Sequence, residues 1–170
     1  MDTWKENKFV IIFFIILYPF LQYLYKFLSY LEMMRIGIIG SMQLTEKMLE
    51  IRDKLSAQGH DAYVTSLAAP FIGRTDEEKE QIKLHQKTHN DAIREFWRLM
   101  QGGDAVLVLN LEKGGIPNYI GGNTFLEIGF AHVLNQKIFV YNPLPENKFY
   151  KTEIEVMNPI IIYGDLSQIV

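Results

Sequence analysis

Glu127 is the side chain in this sequence best placed for chemistry. It follows Gly121-Gly122-Asn123-Thr124 and precedes Ile128-Gly129-Phe130-Ala131. A carboxylate just inside a helix that opens on glycines can attack or stabilise an electron-poor sugar carbon, while the glycine N–H groups approach an anion or a hydroxyl closely. The same spacing has a purely structural use: Thr124-x-x-Glu127 has the form of a capping box, in which the carboxylate binds back to its own helix start. Taken alone, the spacing favours capping.

Other candidates cluster by type. Gly40, Ser41 and Met42 follow the apolar run Arg35–Gly40; Asn110 ends the run Asp104–Asn110; Asn142 follows Lys137–Tyr141. Tyr119 stands in the Gly-rich loop between Lys113 and Gly122 and could stack on a base. His85 and His89 share a stripe with Ile82, Ile93, Phe96 and Met100 at helical spacing, which predicts an inward face for both, away from the lysines. Counting helical rise against strand rise puts the pair near the level of the strand tips. The readings open for them are a packing or interface role, contact with substrate, and a bridging metal. No third ligand is indicated, so neither a metal nor another cofactor is expected.

These residues need a scaffold, and the chain supplies one. Strands are expected at Arg35–Gly40, Asp61–Leu67, Asp104–Asn110, Lys137–Tyr141 and Ile160–Tyr163. Helices are expected over Leu44–Gln58, from Thr75 to about Met100, from about Thr124 to Leu134, and near Lys151–Met157. Thr75 followed by Asp, Glu and Glu is a helix start. The near-continuous apolar run Asp-Ala-Val-Leu-Val-Leu-Asn reads as a central parallel strand buried on both faces. Strand–helix alternation implies an α/β, flavodoxin-like (Rossmann-like), doubly wound five-stranded parallel sheet. In that fold ligands bind beyond the strand C-termini at the switch point beside strand one. Gly40, Ser41, Met42, Asn110, the loop to Gly122 and Asn142 all fall there.

Composition bounds the rest. The 170 residues carry 17 Lys plus Arg, 20 Asp plus Glu and no Cys, a net charge of −3. Without Cys there is no disulfide scaffold, Cys-ligated zinc, Fe–S cluster or thiol nucleophile. A mildly acidic chain with no basic block argues against a nucleic-acid partner. Ten of the aromatics lie in the first 33 residues. Phe9–Leu31 is long enough for a membrane helix, weakened by Pro19, Gln22 and Lys26. The organisation expected is therefore an apolar leader, 1–33, and an α/β domain, 34–170. The leader reads either as an anchor, with the positive-inside bias placing the domain in the cytoplasm, or as a dispensable extension or misassigned start, because Met33-Met34 directly precedes the first strand.

Strand three ending in Val-Leu-Asn, then Gly-Gly-Asn-Thr-Phe-Leu-Glu-Ile-Gly-Phe-Ala, then Lys-Ile-Phe-Val-Tyr resembles the nucleoside 2-deoxyribosyltransferase family and the related nucleoside monophosphate N-glycosidases, over essentially Met34–Val170. In that family the Glu of the E-x-G-x-A motif is the nucleophile that forms a glycosyl-enzyme intermediate. The resemblance implies this role for Glu127 and tips the reading from capping to catalysis. It also implies cleavage or transfer at the N-glycosidic bond of a nucleoside or nucleotide. Asn110 with His85 or His89 would then assist the leaving base, while Gly40, Ser41 and the Gly121–Thr124 turn hold phosphate or sugar. The family's sharing of sites between subunits implies a homo-oligomer. Two departures stand out: the family carries an Asp at the strand-three tip, where this chain has Asn110, and another six residues before the Glu, where it has Gly121. Those missing acids keep open a second expectation, a non-catalytic nucleotide-binding sensor, either free or tethered to a membrane by residues 9–31.

Overall fold

Residues 17–147 and 149–170 are described by a computed structural model. The chain divides between Met33 and Met34. Before the division lies helix α1, Tyr18–Leu31. Its 14 residues span about 21 Å at 1.5 Å each, and among the described residues no helix is long and apolar enough to cross a membrane. Residues 9–16 of the expected membrane segment lie outside the described residues.

After the division come β1 (Arg35–Gly40), α2 (Thr45–Ala57), β2 (Asp61–Tyr63), α3 (Asp76–His89), α4 (Ala92–Met100), β3 (Ala105–Leu109), α5 (Gly122–Val133), β4 (Lys137–Val140), α6 (Lys151–Glu155) and β5 (Ile160–Ile161). All strand pairs are parallel, in the order β2-β1-β3-β4-β5. This is the flavodoxin-like doubly wound sheet, with its switch point between β1 and β3.

Every residue of β3 is buried, as a strand covered on both faces requires. Alternate residues divide between two cores. Ile36, Ile38, Leu107, Leu109 and Phe139 meet Met48, Ile51 and Leu55 of α2. Ile39, Val106, Val108, Ile138 and Val140 meet Phe96 and Met100 of α4, Ile128 and Ala131 of α5, and Ile154 of α6.

Two elements differ from expectation. The second strand stops at Tyr63, and the chain turns into a 3-10 segment, Ser66–Phe71, which contains Pro70 and starts on the Thr65 side chain accepting from the Leu67 N–H. The Thr65 cap commits Ser66 and Leu67 to that 3-10 turn, so the strand ends before them. The helix expected from Thr75 to Met100 is broken at Asn90-Asp91: Asp91 takes a left-handed conformation (φ 41°) and becomes the N-cap of α4. The start of α3 is as expected, a full capping box between Thr75 and Glu78.

Candidate functional site

At the C-terminal edge of β1 and β3 a cleft opens in two adjoining lobes. Gly40, Met42, Lys83, Lys87 and Asn123 border both. Together with the solvent they open onto, the lobes span about 470 and 490 Å³.

The first lobe is built by the turn after β1, the loop after β3 and the start of α5. It gathers Gly40, Ser41, Met42, Tyr119, Gly121, Gly122, Asn123 and Thr124, eight of the residues singled out from the sequence. Gly121 is the N-cap of α5 and has no capping side chain, so the first N–H groups of that helix keep their capacity for a ligand. Lys113 reaches over the lobe from the β3 loop. Its ammonium donates to Ser41 Oγ at 2.9 Å and stands 5.0 Å from the Tyr119 ring centre. Burial, then the neighbouring Lys83 charge, hold Lys113 below the usual lysine range.

The second lobe is greasier. Leu67, Ala92 and Phe96 line it together with Thr65, Lys83, Gln86 and Lys87, and Glu127 borders it from α5. The helix starts at Gly122, so Thr124 lies inside its first turn and the capping box does not form. No hydrogen-bond or ion-pair partner of the Glu127 carboxyl is present among the described residues. The residue keeps some contact with the cleft, but its carboxyl is enclosed. That burial, with a smaller contribution from the charge of Glu95, pushes it up to about 8. Glu95, on α4, is itself held by Thr65 Oγ1 at 2.9 Å and Ser66 Oγ at 3.2 Å, both donating.

Other candidates lie elsewhere. Asn110 is fully buried. Its Nδ2 donates to the carbonyls of Asn142 (3.1 Å) and Pro143 (2.9 Å), and its Oδ1 accepts from the Asn142 N–H at 2.8 Å. The Asn142 Nδ2 donates in return to the Asn110 carbonyl at 3.2 Å. The two asparagines thus lock the tips of β3 and β4 together, and neither lines the cleft.

His85 and His89 are exposed, stacked on each other at 4.4 Å between ring centres, and line neither lobe. The inward stripe expected for them fails because α3 and α4 are separate helices, so the phase of Phe96 and Met100 does not carry back across Asp91. The inward face of α3 is instead set by Lys79 and Gln86, both buried. Lys83 and Lys87 share that face and reach the cleft. Among the described residues no three His, Asp or Glu side chains gather as a metal-binding group.

Lys83, Lys87, Lys113, Thr65 and Glu95 had not been singled out from the sequence. The i, i+4, i+7, i+8 spacing of Lys79, Lys83, Gln86 and Lys87 was the available signal, but a polar stripe reads as a solvated face. The molecule is thus of a definite class: a flavodoxin-like α/β domain with an enclosed carboxyl and a cationic lobe side by side at its switch point. Compared with protein-family profiles, curated proteins and solved structures, the chain matches none.

Proposed function

We propose that this protein cleaves or transfers the N-glycosidic bond of a (deoxy)nucleoside or nucleoside monophosphate, with Glu127 as nucleophile, in the manner of the nucleoside 2-deoxyribosyltransferases it resembles. The observation that carries the reading is the Glu127 carboxyl: enclosed, without a hydrogen-bond partner, freed from any capping duty, and placed beside a lobe that can hold a polar group. In the reaction the ionised carboxylate forms a bond to the sugar anomeric carbon as the carbon–nitrogen bond breaks. The bonding pair leaves with the base, which takes up a proton. Water or a second base then attacks the same carbon and releases Glu127. The side chain of Asn110 holds β3 to β4 and lines neither lobe, so this reading assigns it no step.

The deciding experiment incubates the purified chain with a panel of deoxynucleosides and their monophosphates, with and without an acceptor base. Base release or exchange is expected for wild type, with a loss of at least about a thousandfold in Glu127→Ala, the scale on which removing a nucleophile acts. No turnover of any substrate by wild type would defeat the proposal.

One observation favours a second reading. With the Asn110 amide spent, and glycine at 121, no acid stands where the resembled family places its base-handling residues. A non-catalytic nucleotide sensor needs none. Thermal stabilisation by a nucleotide without turnover selects it. The proposal further carries a homo-oligomer, tested by sedimentation velocity, and a cytoplasmic domain, with membrane tethering through residues 9–31 tested by carbonate extraction.

A further inference from the structure

Helices α4 and α5 pack side by side against one side of the sheet. On α5 the buried positions are Thr124, Ile128 and Ala131. The opposite side carries Leu126, Gly129, Phe130 and Val133 at i, i+3, i+4 and i+7, a helical stripe without a charge. Leu126 and Val133 are exposed, Val133 by 71%. On α4 the neighbouring stripe is Ile93 and Trp97. Ile93 is exposed, and the Trp97 ring meets Phe130 edge to face at 5.4 Å. A groove of about 920 Å³, including the solvent it opens onto, is lined by Asp91, Ile93, Arg94, Trp97, Phe130 and Val133. Aromatic and aliphatic side chains gathered in this way mark an interaction surface.

Two features say what covers it. The first is charge. The only charged groups lining the groove are Asp91 and Arg94, paired with each other at 2.8 Å and both exposed. The groove is therefore neutral in a chain whose net charge is −3, and its charges are self-complementary. About a two-fold axis passing between them, Arg94 of each copy meets Asp91 of the other and no like charges are opposed. A strongly acidic or basic partner would oppose one of the two. The second feature is Gly129. Glycine inside a helix is less favourable than alanine, yet a Cβ added at Gly129 would meet nothing within 4 Å, and its φ is not positive. Neither crowding nor backbone conformation in this chain requires it. What the missing side chain permits is the close approach of a second backbone.

We infer that the outer face of α4 and α5 is the contact of a two-fold homodimer, in which Ile93, Trp97, Phe130 and Val133 pack on the same residues of a second copy and Arg94 pairs across with its Asp91. The homo-oligomer named above follows from a resemblance. This contact stands on the groove and is independent of the chemistry at Glu127. It bears on that chemistry all the same, because α4 and α5 also give Ala92, Phe96, Asn123 and Glu127 to the second lobe. The contact would brace those two helices from outside.

The test uses sedimentation velocity on the full chain, in mild detergent to mask the apolar leader. Wild type is expected as a dimer at micromolar concentration. Val133→Asp, a change at an exposed position, should sediment as a monomer with the circular-dichroism spectrum of wild type. Gly129→Ala should keep that spectrum and raise the dimer Kd at least about threefold. The chain has no Cys, so single cysteines report the contact without background. On oxidation, at least one of Ile93→Cys, Leu126→Cys and Val133→Cys should form a disulfide-linked dimer, since a two-fold contact sets residues near its axis opposite themselves. Val156→Cys, at an exposed position just beyond α6, should not. A monomeric wild type, association that survives Val133→Asp, or equal cross-linking at Val156→Cys would overturn the inference. The second of these outcomes would place the contact elsewhere, the leader included. A dimer dispersed by Val133→Asp, in a protein that turns over no nucleoside or nucleotide, upholds the contact and defeats only the glycosidic reading. Turnover by a chain that never dimerises does the reverse.

Discussion

A carboxyl that holds its proton to about pH 8 enters neutral solution mostly uncharged, and a nucleophile must first lose that proton. The rate should therefore climb with pH. For the free enzyme, kcat/KM is expected to rise from pH 6 to a plateau above about 8, and a rate that falls across this range would make Glu127 a proton donor instead. The same proton is linked to folding. The folded state binds it more tightly than the unfolded chain, whose carboxyl titrates near the ordinary 4.5. The stability this lends is complete below pH 4.5 and is lost as pH rises through 8. Glu127→Gln, which never ionises, should nearly match wild type at pH 4.5 and exceed it by about 4–5 kcal/mol at pH 9, read from urea unfolding at each pH. The type and importance of Glu127 were legible in the sequence, but its environment was not. Gly121 and Thr124 are both acceptable helix starts, so the capping pattern could not be dismissed until the helix was seen to begin at Gly122. Asn110 shows the same limit. Its place at a strand tip could be read, whereas its bonds to Asn142 and Pro143 arise only from the register of β3 beside β4.

At the scale of elements, the break between α3 and α4 decides which side chains the cleft receives. One continuous helix would have turned the histidines inward. Two helices, re-phased at Asp91, send Lys83 and Lys87 to the cleft from the first, and Ala92 and Phe96 from the second. The break was hard to read because Asn90-Asp91 is polar but contains neither Gly nor Pro, and Asp91 reaches positive φ without the usual signal. The position of α3 is secured by Lys79. Its buried ammonium donates to Glu46 Oε2 at 2.6 Å and to the Gln43 carbonyl at 3.1 Å, binding α3 to the segment that follows β1. Glu46 also accepts the Gly73 N–H, and the Lys79 bond holds its carboxyl below the usual range. Lys79→Ala should cost about 1–2 kcal/mol, since Glu46 is half exposed and can recover water. It should also weaken binding of 2-deoxyribose 5-phosphate, although Lys79 borders neither lobe. Urea unfolding and calorimetry on the same variant check both effects.

At the scale of the molecule, the sheet was the most legible feature, because a parallel strand buried on both faces writes itself as an apolar run, and strand–helix alternation admits few topologies. What alternation cannot tell is how near neighbouring backbones come at the switch point, and there two of the three cleft glycines, Gly40 and Gly122, separate. At Gly40 an added Cβ would lie 3.0 Å from the Leu109 carbonyl oxygen and 3.4 Å from the Leu109 Cβ, across the β1–β3 pairing. At Gly122 an added Cβ would meet no atom within 4 Å. Neither position has positive φ, so conformational strain does not distinguish them and the neighbours do. Gly40→Ala must push apart two central strands whose carbonyl and side chain cannot swing away, and is expected to cost about 1–3 kcal/mol. Gly122→Ala leaves the sheet untouched and places a methyl at the start of α5, where alanine is the better helix former; its stability should equal or slightly exceed that of wild type. The same methyl stands at the lobe where the helix amides would meet a phosphate, so Gly122→Ala should raise Kd for 2-deoxyribose 5-phosphate without lowering the urea midpoint. If the two alanines behaved alike in both measurements, the distinction between a glycine kept for strand approach and one kept for ligand approach would not hold at this switch point.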